Sequence, residues 1–402
     1  MSSILFINGP AEGHVNPTLA VVKELTARGH RVVYVCTEAY RGTIEATGAE
    51  FWPIEDYLAR QRTGNPFLML LRTASIAIPQ VMVRAQQDKF DFIVHDSFFG
   101  WGAWIAKLLK LPSIGSYTSF TMTSRRPERI GELPGLRFMK LAVSALYKPL
   151  VTMEAQAVAK QFGMPVPSLK EILFNHGDMN IMYFTREFHP NNELLDDTFV
   201  YVGPTVANRP LQTSLDVDTF KGNRKLVYIS LGTVLNRKLA FFRACLAACA
   251  DQDYQVILSI GDRIDPSRLG PIPSNVLVSP YVPQLEILKR ADVFVTHGGM
   301  NSTCEGLYHQ VPLIVIPQGF DQPMIAACVK RLGAGIVISK YSLTAGKLRI
   351  GIHEVLHNPE YRANASRVGS SFASAGGTTA AVDAIEWFGR QLQDSRTASS
   401  IG

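Results

Sequence analysis

His14 is the first residue in the chain whose type and place suggest chemistry. It sits in Asn8-Gly9-Pro10-Ala11-Glu12-Gly13-His14-Val15, directly after the short apolar run Ile4-Leu5-Phe6-Ile7. A continuous run of that kind marks a parallel strand buried on both faces. Ligands of parallel sheets gather where strands end. An imidazole there can take a proton from a hydroxyl, or it can simply cap loop backbone; position alone leaves both open. Asp96 closes a second apolar run, Asp91 to Asp96, so a carboxylate at the same edge could orient the ring and stabilise its charged form. His95, its neighbour, reads as structural.

A second group lies between Tyr281 and Gln322. Here the strand Val293 to Thr296 runs into His297-Gly298-Gly299-Met300-Asn301-Ser302, with Glu305 one turn later and Asp321-Gln322 beyond. A strand that opens a helix through glycines leaves free backbone N–H groups at the positive end of the helix, a site for anions. Asn301 and Ser302 add donors there. Glu305 can accept from ribose hydroxyls, and Asp321 with Gln322 suits the hydroxyls of a sugar. Together they read as a nucleotide-sugar pocket.

These motifs resemble the UDP-dependent inverting glycosyltransferases that act on small molecules. The His-Gly-Gly-Met-Asn-Ser form is most similar to bacterial macrolide-inactivating members. Plant members carry Trp at the positions of Tyr281 and Met300, so base stacking falls here to a smaller ring. The resemblance implies that His14, in Gly13 to Pro17, is the base and that Asp96 is its partner. It implies that His297, Asn301 and Ser302 meet the diphosphate, Glu305 the ribose, and Asp321 and Gln322 the sugar. Ser230, Gly232 and Thr233 resemble a second phosphate-contacting loop. Asn16, Tyr281, Val282, Gln284 and Gly299 complete the donor-binding set. Acceptors in this family bind to the first domain, and its apolar segments Phe67 to Val83 and Tyr117 to Met153 read as irregular, with Phe67 and Phe120 the acceptor-binding candidates.

Strand and helix patterns alternate along the whole chain, so the fold class is α/β with doubly wound sheets; the resemblance makes it GT-B, two facing Rossmann-like domains. Asn16 reads as an N-cap with Pro17 at the first helical position. The expected division is an acceptor domain over 1–204 and a linker over 205–223. A nucleotide-sugar domain over 224–375, a helix over 376–393 returning to the first domain, and a flexible tail over 394–402 follow.

At 402 residues and 47% apolar composition the chain can build two cores, and a net charge of +6 without basic clusters excludes a nucleic-acid stripe. Five cysteines without CxxC spacing fit a reducing cytoplasm. Ile4 to Ile7 is too short for a signal core, and Arg72 and Pro79 interrupt the run Phe67 to Val83, so no stable membrane insertion is expected. The Asp216–Asp218 and Asp251–Asp253 triplets sit away from the strand ends and read as solvated acids. No metal is therefore expected, and no cofactor beyond the UDP-sugar co-substrate.

The reading is a monomeric, cytoplasmic enzyme moving a hexose, glucose first, from a UDP-sugar to a lipophilic small-molecule acceptor. The alternatives are a lipid-linked glycosyltransferase, a UDP-sugar epimerase of the same fold, or an inactive donor-binding protein.

Overall fold

The computed structural model describes residues 1–56, 65–121, 147–173, 175–190, 195–206, 215–232, 236 and 238–401. It divides into two compact units, 1–207 with 375–402, and 208–374.

In the first unit seven parallel strands stand in the order β3-β2-β1-β4-β5-β6-β7. They are β1 (Ser3–Ile7), β2 (Arg31–Thr37), β3 (Glu50–Ile54), β4 (Phe92–Asp96), β5 (Ser113–Tyr117), β6 (Met179–Met182) and β7 (Phe199–Tyr201). The chain winds one way from β1 to β3, then returns to place β4 on the other side of β1, with Ile7 opposite His95. That reversal leaves a crevice at the carboxyl ends of β1 and β4.

Helix α1 (Glu12–Ala27) begins earlier than its sequence suggests: Ala11 is the extended N-cap, and Asn16 and Pro17 lie inside the helix. Buried Val15 anchors the first turn, and its N–H reaches the Ala11 carbonyl at 2.9 Å. A fixed φ near −65° is compatible with a helix, so Pro17 forfeits one hydrogen bond without ending it.

Of the two segments expected to be irregular, the first is one helix, α2 (Pro66–Ala85), and most of the second, 122–146, lies outside the described residues. Asn65 caps α2 by accepting from the backbone N–H groups of Phe67 and Leu68, and Pro79 is carried within it. Leu68, Leu71, Ala74, Ile78 and Val81 bury one face in a core shared with α3 (Trp101–Leu109) and α4 (Lys148–Phe162). That burial offsets the lost bond at Pro79. The helix is long and apolar enough to cross a membrane, but half of that window is buried inside the protein.

The second unit holds six parallel strands in the order β10-β9-β8-β11-β12-β13. They are β8 (Leu226–Ser230), β9 (Gln255–Ser259), β10 (Val276–Ser279), β11 (Val293–Thr296), β12 (Leu313–Val315) and β13 (Gly335–Val337). Its reversal falls between β8 and β11, with Ser230 opposite Thr296. Its helices include α5 (Leu239–Cys249), α6 (Met300–Tyr308), α7 (Gln322–Arg331), α8 (Ala345–His357) and α9 (Pro359–Ser374).

Two parts of the expected division differ. Within the linker, Val217–Lys221 forms a helical turn because Asp216 accepts from the Thr219 N–H at its N-terminus. The tail is not separate: helix α10 (Gly377–Ile401) continues through it, since no glycine or proline interrupts residues 394 to 401. Ala381, Val382, Ile385 and Phe388 of α10 enter the core of the first unit beside Val21, Leu25 and Phe92.

Candidate active site

The crevice between β1 and β4 holds His14 and Asp96. Their Nδ1 and Oδ2 atoms are 2.7 Å apart, with 22% of the histidine side chain and 2% of the aspartate exposed. Asp96 also accepts from backbone N–H groups, Phe98 at 2.7 Å and Gly9 at 3.3 Å. Burial pushes the Asp96 carboxyl up, but the His14 charge and hydrogen bond and the two N–H donors outweigh it and hold the carboxyl below its usual range. An ionised Asp96 selects the tautomer with Nδ1 protonated, and Nε2 then carries the lone pair of a general base.

Sequence reading missed the support around this pair. Buried Asn8 donates to the His14 carbonyl and to the Tyr34 hydroxyl, both at 2.9 Å. The Thr118 hydroxyl lies 3.3 Å from His14 Nδ1, and the rings of Phe98 and Phe99 flank the imidazole with centroids 5.7 and 5.6 Å away. Asn8 had a local signal, being a polar residue directly after the apolar run Ile4 to Ile7. Thr118 had none, because only the pairing of β4 with β5 brings it near.

In the second unit the loops after β8 and β11 meet. The His297 ring lies between two glycines: a Cβ on Gly232 would come within 2.7 Å of it, and one on Gly299 within 2.4 Å. Gly232 also has a φ of +70°, which glycine adopts without strain. Ser230 Oγ accepts from the Gly232 N–H at 3.2 Å, fixing the turn. Burial lowers the His297 pKa to about 4, so the ring is neutral near pH 7. Gly299 is the N-cap of α6, and Asn301 and Ser302 occupy its half-buried first turn. Thr233 lies outside the described residues.

Glu305 is buried on α6, and Gln284 donates to its Oε2 at 2.6 Å. The Tyr228 hydroxyl donates to Gln284 Oε1 at 3.1 Å, so Gln284 positions the carboxylate. Tyr281 is 44% exposed, offering a ring face, and Val282 follows it half-buried. Gln322 turns its Oε1 inward onto the N–H groups of Gln318 at 2.7 Å and Gly319 at 3.1 Å. Asp321, half-buried beside it, makes no capping bond to α7.

The acceptor-binding candidates separate. Phe67 is fully buried in the first unit's core, because the first turn of α2 packs inward, and it offers no face to a ligand. Phe120 is half-buried among Phe184, Phe188 and His189, just past the end of β5. Asn16 is half-buried on α1 in the first unit. Asp216 caps a helical turn and Asp218 pairs with Arg290 at 2.6 Å. Among the described residues no three His, Cys, Asp or Glu side chains come together as metal ligands.

A family model described as Erythromycin biosynthesis protein CIII-like, C-terminal domain, matches residues 243–386. The UDP-glucosyltransferase YojK of Bacillus subtilis (strain 168), itself uncharacterized, is 36% identical over 398 residues, 96% of this chain and 97% of the relative. The chain belongs to the UDP-glycosyltransferase family. The oleandomycin glycosyltransferase of Streptomyces antibioticus is 28% identical over 399 residues, covering 94% of this chain and 88% of the relative. The crystal structure of the glycotransferase of kitacinnamycin superposes with a TM-score of 0.85 at 30% identity, covering 96% of this chain and 98% of that one. The fold is therefore GT-B, two parallel-sheet α/β domains, and the protein is a glycosyltransferase of the natural-product type.

Proposed function

We propose that this glycosyltransferase moves glucose from UDP-glucose to a hydroxyl of a lipophilic small molecule, such as a macrolide, flavonoid or phenol, with inversion at the anomeric carbon. The observation that carries the reading is the His14–Asp96 pair, a buried carboxylate on one imidazole nitrogen at the reversal point of a parallel sheet. His14 Nε2 takes the acceptor hydroxyl proton as the oxygen bonds to the anomeric carbon. The bond from that carbon to the β-phosphate oxygen breaks, and its electron pair leaves with UDP. Backbone N–H groups at the start of α6 and the neutral His297 face the charge that develops on the diphosphate.

Asp321 and Gln322 favour a hexose with free hydroxyls, and Glu305, held by Gln284, favours a ribose diol. Tyr281 supplies the face for the base. Phe120 and the aromatic side chains around it favour a lipophilic acceptor. The enzyme acts as a cytoplasmic monomer and needs no divalent ion, since helix termini take the place of a metal at the diphosphate.

The test is UDP release from UDP-glucose with and without a phenolic or macrolide acceptor, with the product identified by mass spectrometry and its anomeric coupling read by NMR. A β-glucoside formed in excess chelator is expected. Absence of UDP release across donors, or full dependence on one added divalent ion, would overturn the corresponding part.

A further inference from the structure

The loop from β12 to α7 carries one residue that the reaction as described leaves unused. It reads Ile316-Pro317-Gln318-Gly319-Phe320-Asp321, and Phe320 has a φ of 54°. A bulky aromatic residue rarely adopts this left-handed conformation. The other positive-φ residues without glycine among those described are Lys110, Asp251 and Gln310. They follow the ends of α3, α5 and α6, where a left-handed residue commonly closes a helix. Phe320 instead comes just before a helix begins.

The loop is clamped from two sides. Gln322 Oε1 holds the Gln318 and Gly319 N–H groups, and Gln318 Nε2 donates to the Ile316 carbonyl at 2.7 Å. Lys340, beyond β13, donates to the Gln318 carbonyl. Gln318 and Gln322 are both buried. These bonds over-determine the backbone and hold the strained residue in place. Yet the ring is 60% exposed, at the carboxyl edge of the sheet. Strain that presents a large apolar side chain to solvent is not repaid by core burial, and such strain persists where the presented group has work to do.

We propose that Phe320 is a specificity-determining residue of the donor site. Its ring packs on the apolar C–H face of the transferred hexose while Asp321 and Gln322 take the hydroxyls. The inference rests on the donor reading above, because the ring precedes that pair on one rigid loop. A pyranose has polar edges and a C–H face, and one loop bearing an aromatic ring, a carboxylate and an amide answers both.

The test compares Phe320→Gly, which removes the ring and relieves the left-handed backbone, with Phe320→Tyr, which keeps an aromatic face. The Gly variant should melt no lower than wild type, and its UDP Kd by calorimetry should stay within about twofold. Its KM for UDP-glucose should rise about three- to tenfold, as expected for loss of one aromatic face. Phe320→Tyr should stay near wild type. An unchanged donor KM, a rise confined to the acceptor KM, or a parallel rise in UDP Kd would each overturn the assignment. Wild-type turnover of UDP-glucose in the same assay tests the underlying donor reading separately.

Discussion

An imidazole serves as a base only if its two nitrogens are told apart, and Asp96 does this for His14 across 2.7 Å. A positioned base contributes about 10²–10⁴ in rate, so His14→Ala should lower kcat on alcohol acceptors by that order. UDP affinity should barely change, because His14 belongs to the first unit and the loops proposed to bind the diphosphate to the second. Asp96→Asn should be damaging as well, since an amide cannot stabilise the imidazolium. Steady-state kinetics with calorimetry on UDP checks both; wild-type kcat from a folded His14→Ala protein would assign the proton to another group.

At the scale of elements, the loop before α7 shows one side chain with two duties. The Gln322 oxygen is committed to its own loop, which leaves the amide N–H groups as the part able to donate to a sugar. Gln322→Ala should therefore disturb both, raising the donor KM by about tenfold or more, the cost of an unmade hydrogen bond at a buried backbone donor. Gln322→Glu keeps an acceptor for Gln318 and Gly319 but loses the donor, so it should raise donor KM with little loss of thermal stability. Equal donor KM for wild type and Gln322→Glu would show that the amide donates nothing to the sugar. UDP affinity should hold in both variants, since the loops proposed to hold the diphosphate follow β8 and β11.

Across the whole molecule, two imidazoles shielded from water, buried His95 and half-buried His297, make stability depend on pH. Burial holds His95 and His297 down to about 4 each, and among the described residues His95 Nε2 has no hydrogen-bond partner. An unfolded histidine takes up a proton near pH 6.5 while these stay neutral in the fold. Stability is therefore full above pH 6.5 and falls as pH drops toward 4, by up to about 3 kcal/mol for each group. Urea unfolding at pH 7 and pH 4.5 should show the loss, and His95→Gln should flatten its slope. An identical slope in that variant would remove His95 from the account.

Helix α10 acts at the same scale. Its four buried apolar side chains belong to the first unit's core, and Arg28 ties α1 to Asp383 at 2.7 Å. At roughly 1.5–3 kcal/mol for each of Val382, Ile385 and Phe388, deleting residues 377–401 removes an amount comparable with the whole stability of a domain. The truncated chain should lose cooperative unfolding by circular dichroism; native-like melting would mean that α10 only decorates the surface.

Local sequence determined a good deal of this protein. Continuous apolar runs such as Ile4 to Ile7 and Val293 to Val295 specify buried parallel strands, because burial on both faces favours apolar side chains on both. His297 to Ser302 specifies a strand-to-helix turn, because its glycines accept the close approach of the ring. Asp96 could be singled out as a carboxylate at a strand end, yet its contact with His14 depends on β4 crossing to the far side of β1, a pairing between distant segments. The same holds for Gln284 against Glu305 and for α10 in the first unit's core. Asn16 and Pro17 carry the local marks of a helix start, but burial of Val15 draws the first turn back to Glu12. Phe67 looks like any apolar residue until packing turns it inward, and Phe320 until the clamps at Gln322 and Lys340 turn it outward. Side-chain type is local; burial and strand order are settled only by the whole fold, since each is a contact between parts of the chain far apart in sequence.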